Sequence, residues 1–140
     1  MFDFDNLTEE NLDISNLKKL GWKILREEGK KEGEQFNCIL IKDDYIRDLN
    51  KKYRGRDFPT DVLAFSFSDG EDSKFRDKLF GEIYISVDTA TKNAKRYGNS
   101  LQQEIELLFV HGMLHLLGYC DDNQKDRKLM RSKEEYYLGR

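Results

Sequence analysis

The chain has 140 residues, 24 basic and 27 acidic, with a net charge of −3 and 36% charged against 38% hydrophobic side chains; that composition suits one soluble domain, residues 1–140, with a real core. Without a global basic excess, any nucleic-acid role needs a local basic surface. No apolar run is long enough to cross a membrane, the acidic start Met1-Phe2-Asp3-Phe4-Asp5 is unlike a signal peptide, and Cys38 and Cys120 make no disulfide framework, so a cytoplasmic protein without a membrane partner is expected.

Residues 2–6 are expected to form a short edge strand. A helix is expected from about Ser15 to Glu28, with Leu17, Leu20, Ile24 and Leu25 as its inner stripe. Gly29 and Gly33 bracket a charged turn. Phe36 to Ile41 is short and apolar, so it reads as a buried strand carrying Cys38 as a small hydrophobe. Asp43 or Asp44 is expected to cap the next helix, whose inner face is Ile46, Leu49 and Tyr53. Its outer surface carries Lys42, Arg47, Lys51, Lys52 and Arg54. Pro59, the sole proline, breaks the chain in a loop.

Val62 to Phe67 reads as a strand with Leu63, Phe65 and Phe67 on one face. The polar stretch 68–78 is expected as a mobile loop, and Glu82 to Ser86 as a further strand. Ser86 caps a helix to about Tyr97, with Asp88 in its first turn. Gly98 and Asn99 turn the chain. Ser100-Leu101-Gln102-Gln103 matches a capping box and starts a helix over about Leu101 to Leu117. That helix is apolar on most sides, which marks it as the central buried helix. A last helix, about Asn123 to Leu138, is expected to pack through Leu129, Met130, Tyr136 and Tyr137. The order of elements reads as α+β, one small and partly antiparallel sheet covered by helices.

The central helix holds both histidines of the chain, His111 and His115. Four residues rise roughly 6 Å, so the two imidazoles project from one face. A lone histidine on an apolar helix is usually a satisfied core residue. Two unpaired imidazoles buried together are costly without strong partners. Gly118 can end the helix in a left-handed conformation and swing the chain back, so that Asp121 becomes a third ligand. Cys120 as thiolate and Asp122 are the alternatives for that place. Three protein ligands leave a fourth tetrahedral position open, the pattern of a catalytic zinc site that activates water or polarises a phosphoryl or carbonyl oxygen. Zinc peptidases carry glutamate directly after the first histidine as general base. Gly112 stands there, which argues against proteolysis.

At this point the chain resembles a known family. The run His111-Gly112-Met113-Leu114-His115-Leu116-Leu117-Gly118-Tyr119-Cys120-Asp121 is similar to His-Gly-x-Leu-His-Leu-x-Gly-Tyr-Asp-His, the signature of the YbeY family of bacterial endoribonucleases, or ribosomal RNA maturation factors. A second block runs from Leu49 to Phe65. It resembles the family's Leu-Asn-x-x-Tyr-Arg-x-x-Asp-x-Pro-Thr-Asp-Val-Leu-Ser-Phe. A third, Gly81-Glu82-Ile83-Tyr84-Ile85-Ser86, is similar to Gly-Asp-Ile-x-Ile-Ser.

The resemblance implies a zincin-like α+β fold, a bound divalent metal, zinc by expectation, and cleavage of single-stranded RNA. It further implies a role in maturing the 3′ end of small-subunit ribosomal RNA and in ribosome quality control, with RNA and the ribosome as partners. His111, His115 and Asp121 become the expected metal ligands, and His111 and Arg54 the expected catalytic residues. Arg54, Lys51, Lys52 and Arg56 become the expected substrate strip, since guanidinium and ammonium groups suit phosphate. The bland alternative is Arg54 paired with Asp57 or Asp61, and Asp61 itself as a turn residue. Two departures stand out: Asp121 replaces the family's third histidine, and Cys120 replaces the preceding aspartate. A carboxylate is a legitimate zinc ligand but harder and more negative than imidazole, which lowers Lewis acidity. This leaves a second reading open, a ribosome-associated RNA-binding module with a structural or weakened metal site.

Overall fold

Alternating side chains in the strands sort the chain onto two faces of one sheet. The computed structural model describes residues 2–29, 35–66 and 79–140. The expectations for Gly33, Phe67 and the loop 68–78 lie outside these residues. In chain order the elements are β1 (Phe2–Asn6), α1 (Ile14–Glu27), β2 (Gln35–Ile41), α2 (Asp43–Arg54), β3 (Val62–Ser66), β4 (Leu79–Ser86), α3 (Val87–Tyr97), α4 (Leu101–Leu116) and α5 (Gln124–Leu138). The sheet order is β1-β2-β4-β3. β1, β2 and β4 run parallel, and β3 runs antiparallel to β4, with Ala64 opposite Ile83.

One face of this sheet presents Phe36, Cys38, Leu40, Ile83 and Ile85 to the main core. They meet Leu17 and Ile24 of α1, Ala90 of α3, Phe109 and Met113 of α4, and Met130 of α5. The other face presents Ile39, Ile41 and Leu63 to Ile46 of α2. Each such apolar side chain, fully buried, stabilises the fold by about 1.5–3 kcal/mol. Burial also pushes the Cys38 thiol well above its ordinary range. α4 touches α1, α3, α5, β3 and β4, so it is the central helix that its composition predicts. Among the described residues, no helix is long and apolar enough to cross a membrane.

Several local expectations need correction. α1 is capped by Asp13, whose carboxylate accepts from the Asn16 N–H at 3.2 Å, so the helix begins at Ile14, one residue before the expected start. Lys42, not Asp43 or Asp44, is the α2 cap residue. Asp43 is already helical, because the starts of α2 and α3 lie side by side and share acceptors. The Asp43 carboxylate accepts from the Ser86 and Thr89 hydroxyls, each at 2.6 Å, and Asp88 accepts the Asp43 N–H at 2.9 Å. Leu129 is exposed rather than inward, and Tyr53 and Tyr136 are more than half exposed, although the Tyr53 ring meets Phe65 edge-on at 5.3 Å and the Tyr136 hydroxyl donates to Glu27 of α1. The buried stripe of α5 runs through Met130 and Tyr137, and Leu129 and Tyr136 each fall one position off it. The capping box at Ser100 and Gln103 and the Ser86 cap of α3 form as expected.

Candidate metal centre

α4 brings His111 and His115 to the edge of the core, where both rings are half-buried. The helix lies unusually close to β4 at this level. A Cβ on Gly112 would sit 2.9 Å from Cγ2 of Ile83. Only glycine fits, which is why no glutamate can follow the first histidine here.

The helix then ends in a complete Schellman motif. The Tyr119 N–H donates to the Leu114 carbonyl at 3.0 Å and the Gly118 N–H to the His115 carbonyl at 3.0 Å, with Gly118 at φ 101°. Tyr119 packs against the main core, and its hydroxyl donates to Glu28 at 2.6 Å. Arg127 of α5 donates to the Asp121 carbonyl at 3.3 Å. The chain is thereby turned back, and the Asp121 carboxylate arrives beside both rings.

The three ligand atoms converge. His111 Nε2 lies 3.1 Å from His115 Nε2. Oδ2 of Asp121 lies 3.9 Å from the first and 3.7 Å from the second. Ligands of a tetrahedral zinc ion stand about 3.3 Å apart, given bonds of about 2.0–2.2 Å. These separations need only small shifts to close on a cation. Cys120, exposed with its Sγ 3.8 Å from the Gly118 carbonyl, and Asp122 stand outside the group formed by His111, His115 and Asp121.

Glu134 of α5 completes the arrangement. Its Oε1 lies 3.0 Å from His111 Nδ1. A carboxylate accepts, so Nδ1 carries the proton and Nε2 turns a lone pair toward Asp121 and His115. The donor set is therefore two imidazole nitrogens and one carboxylate oxygen, chemistry that fits a divalent ion of the zinc kind. Burial disfavours charge on His111, but the Glu134 hydrogen bond and the charges of Glu134, Asp121 and Asp61 outweigh it and raise its pKa. Burial and the neighbouring His111 lower the pKa of His115, with Arg54 adding to the effect and Asp121 opposing it.

Two comparisons decide the family. The family described as Endoribonuclease YbeY matches residues 3–140. The chain belongs to the YbeY endoribonuclease family. A protein of that name from Pelotomaculum thermopropionicum is 42% identical over 126 residues, covering 89% of this chain and 83% of the relative. Another from Heliobacterium modesticaldum is 45% identical over 133 residues, covering 87% and 79%. The solution structure of a Thermotoga maritima protein matches with a TM-score of 0.69 and 30% identity, covering 99% of this chain and 87% of the other. The expected zincin-like α+β architecture holds.

In this YbeY family member two cavities flank the metal group and share Asp61, His111 and Asp121. Arg54, Thr60, Ala64 and His115 line one of them, about 390 Å³ in volume. Arg54 has no acidic partner among the described residues. Asp57 is instead held by Arg47 at 2.9 Å and approached by Lys51 at 3.9 Å. Lys52 lies over the Tyr53 ring, 5.2 Å from its centroid, and Arg56 is exposed. Of the expected strip, Arg54 is the member that the cavity brings to the metal group; Lys51, Lys52 and Arg56 stand outside its lining. Asp61 is a turn residue whose Oδ1 accepts from the Val62 N–H at 2.8 Å. Glu134, which sequence reasoning missed, left one signal: a carboxylate four residues after Met130 and three before Tyr137, on the buried stripe of α5.

Proposed function

We propose that this YbeY family member is a metal-dependent, single-strand-specific endoribonuclease, working as one domain in the cytoplasm. Its substrate is ribosomal RNA, at the 3′ end of the small-subunit species, and its wider role is ribosome quality control in association with the ribosome or small subunit. The endoribonuclease class follows from family membership; the other elements are our reading. His111, His115 and Asp121 hold the ion, zinc by the chemistry of the donors. When bound, the ion supplies a Lewis acid and brings the pKa of its water toward neutrality.

The protein's own side chains do the positioning. Glu134 keeps His111 in one tautomer and one orientation. The planar fork of Arg54 receives the scissile phosphate and offsets charge gathering on it. Lys51, Lys52 and Arg56 attract the flanking chain from the α2 surface. The observation that carries this reading is the Arg54 guanidinium, without an acidic partner among the described residues and in one cavity with His111, His115 and Asp121.

The test is a pair of variants. His111→Ala should lose metal and keep its fold by circular dichroism. Arg54→Ala should keep metal and lose turnover of a single-stranded ribosomal RNA fragment. Wild-type metal content in His111→Ala would overturn the ligand assignment. The Asp121 carboxylate, harder and more negative than the imidazole of the family signature, supports a second reading, an RNA-binding module with a weakened metal site. Ribosome binding retained by metal-loaded wild-type protein that cleaves no RNA would favour it.

A further inference from the structure

The cavity on the other side of the metal group, away from Arg54, has no role in the reading above. It is about 420 Å³, inside the range of about 300–1,000 Å³ typical of small-molecule sites. α3, α4 and α5 enclose it. Leu107, Leu108 and Met130 supply apolar wall. Tyr97 and Arg131 are exposed, and Arg131 has no acidic partner among the described residues. Deep in the wall sits Glu104, 3% exposed, whose Oε1 has no hydrogen-bond partner.

We propose that this cavity is a nucleoside subsite for the residue next to the scissile phosphate, with Tyr97 stacking the base, Glu104 accepting from its exocyclic amino group and Arg131 holding the following phosphate. The inference rests on the endoribonuclease reading. A strand whose phosphate lies at His111 and Asp121 must continue past them. Since those residues, with Asp61, border both cavities, a chain entering by Arg54 leaves through this one.

The chemistry suits a base better than another ligand. An exposed tyrosine and a guanidinium beside apolar walls are what single-stranded RNA meets in sites that splay and stack its bases. The cavity also carries carboxyls, which would repel a polyanion if all were bare. Glu134 is hydrogen-bonded to His111, and Asp121 is committed to the metal group. Burial and the Asp61 charge raise the Glu104 pKa, against an Asn99 hydrogen bond and the Arg140 charge, and the guanidinium groups of Arg127 and Arg131 stand in the same lining to offset the carboxylates. A buried oxygen without a donor is a standing cost that an arriving N–H relieves. Adenine, cytosine and guanine carry an exocyclic amino group; uracil does not.

The test uses metal-loaded full-length protein and single-stranded oligoribonucleotides that differ only in the base on either side of the cleavage position. Wild-type protein should disfavour uracil by about tenfold in kcat/KM at one flanking position, the value of about one good hydrogen bond. Glu104→Met should erase that preference while thermal stability holds or rises. Tyr97→Ala should raise KM about tenfold with kcat and metal content unchanged, and Tyr97→Phe should restore it. Fluorescence of 2-aminopurine at the same position should be quenched by wild-type protein and not by Tyr97→Ala. If cleavage still requires His111 and Arg54 but Tyr97→Ala and Glu104→Met change neither KM nor base preference, the subsite is wrong and the nuclease reading stands. If His111→Ala cleaves like wild type, the nuclease reading fails first.

Discussion

Glu134 of α5 accepts a hydrogen bond from Nδ1 of His111 on α4 at 3.0 Å. The contact joins two helices across 23 positions of sequence and sets which ring nitrogen is free for a metal.

Glu134→Gln should keep the fold and weaken metal binding by about 10–100-fold, the usual cost of removing such a partner. Chelator competition followed by circular dichroism on the same samples separates the two effects. Unchanged metal affinity would show that α5 does not set the His111 tautomer.

Asp121 is the second point of leverage. Asp121→Ala should release the metal, because two imidazoles alone do not close a tetrahedral site. Asp121→His, which restores the third histidine of the family signature, should bind metal with one ion per chain. Metal analysis of both variants beside wild type checks this, and full occupancy in Asp121→Ala would exclude Asp121 as a ligand.

Gly112 faces Ile83, with a Cβ contact of 2.9 Å to a branched methyl that cannot swing away. Gly112→Ala should cost about 1–3 kcal/mol by overpacking. Pairing it with Ile83→Ala, which removes the Cγ2 methyl that Ile83→Val would keep, tests the contact itself. A double-mutant cycle in urea should show positive coupling, and strict additivity would place the strain elsewhere.

Glu28 predicts a pH dependence. It accepts from the hydroxyls of Tyr119 and Tyr137 and pairs with Lys133 at 3.2 Å. Burial opposes its charge, but these hydrogen bonds and the Lys133 charge win, and its pKa is lowered from 4.5. A carboxyl with a lowered folded pKa contributes stability that is present in full above 4.5 and drains away as pH falls through the lowered value. Wild type should therefore be more stable than Glu28→Gln at neutral pH, with the two urea midpoints converging in acid. A gap that widens on acidification would reverse the assignment. Because Glu28 holds Tyr119, two residues before Asp121, the variant should also bind metal less tightly at neutral pH.

Much of the fold was legible because its signals are local. The α4 start is written in Ser100 and Gln103, and the two imidazoles follow from helical spacing. Alternation in β3 and β4 identified the strands. It could not say that Leu63 faces α2 while Ile83 and Ile85 face α4, since strand pairing decides which side each set covers. The α2 start was misread because an acidic residue near a helix start looks the same whether it caps its own helix or serves a neighbour. Tyr53 points to the sheet as its spacing predicts but reaches only the edge of the Phe65 ring, at 5.3 Å between centroids, and so stays more than half exposed.

By itself the sequence determined the helix, the left-handed turn at Gly118 and the pair of imidazoles, all of which depend on backbone preferences over fewer than about ten residues. The tertiary structure alone decided that Glu134 and Glu104 matter, that Arg47 rather than Arg54 takes Asp57, and that α4 lies close enough to β4 to demand Gly112. Those are contacts between segments far apart in the chain. Their partners are set by how the helices pack on the sheet, and no spacing along a single strand or helix encodes that distance.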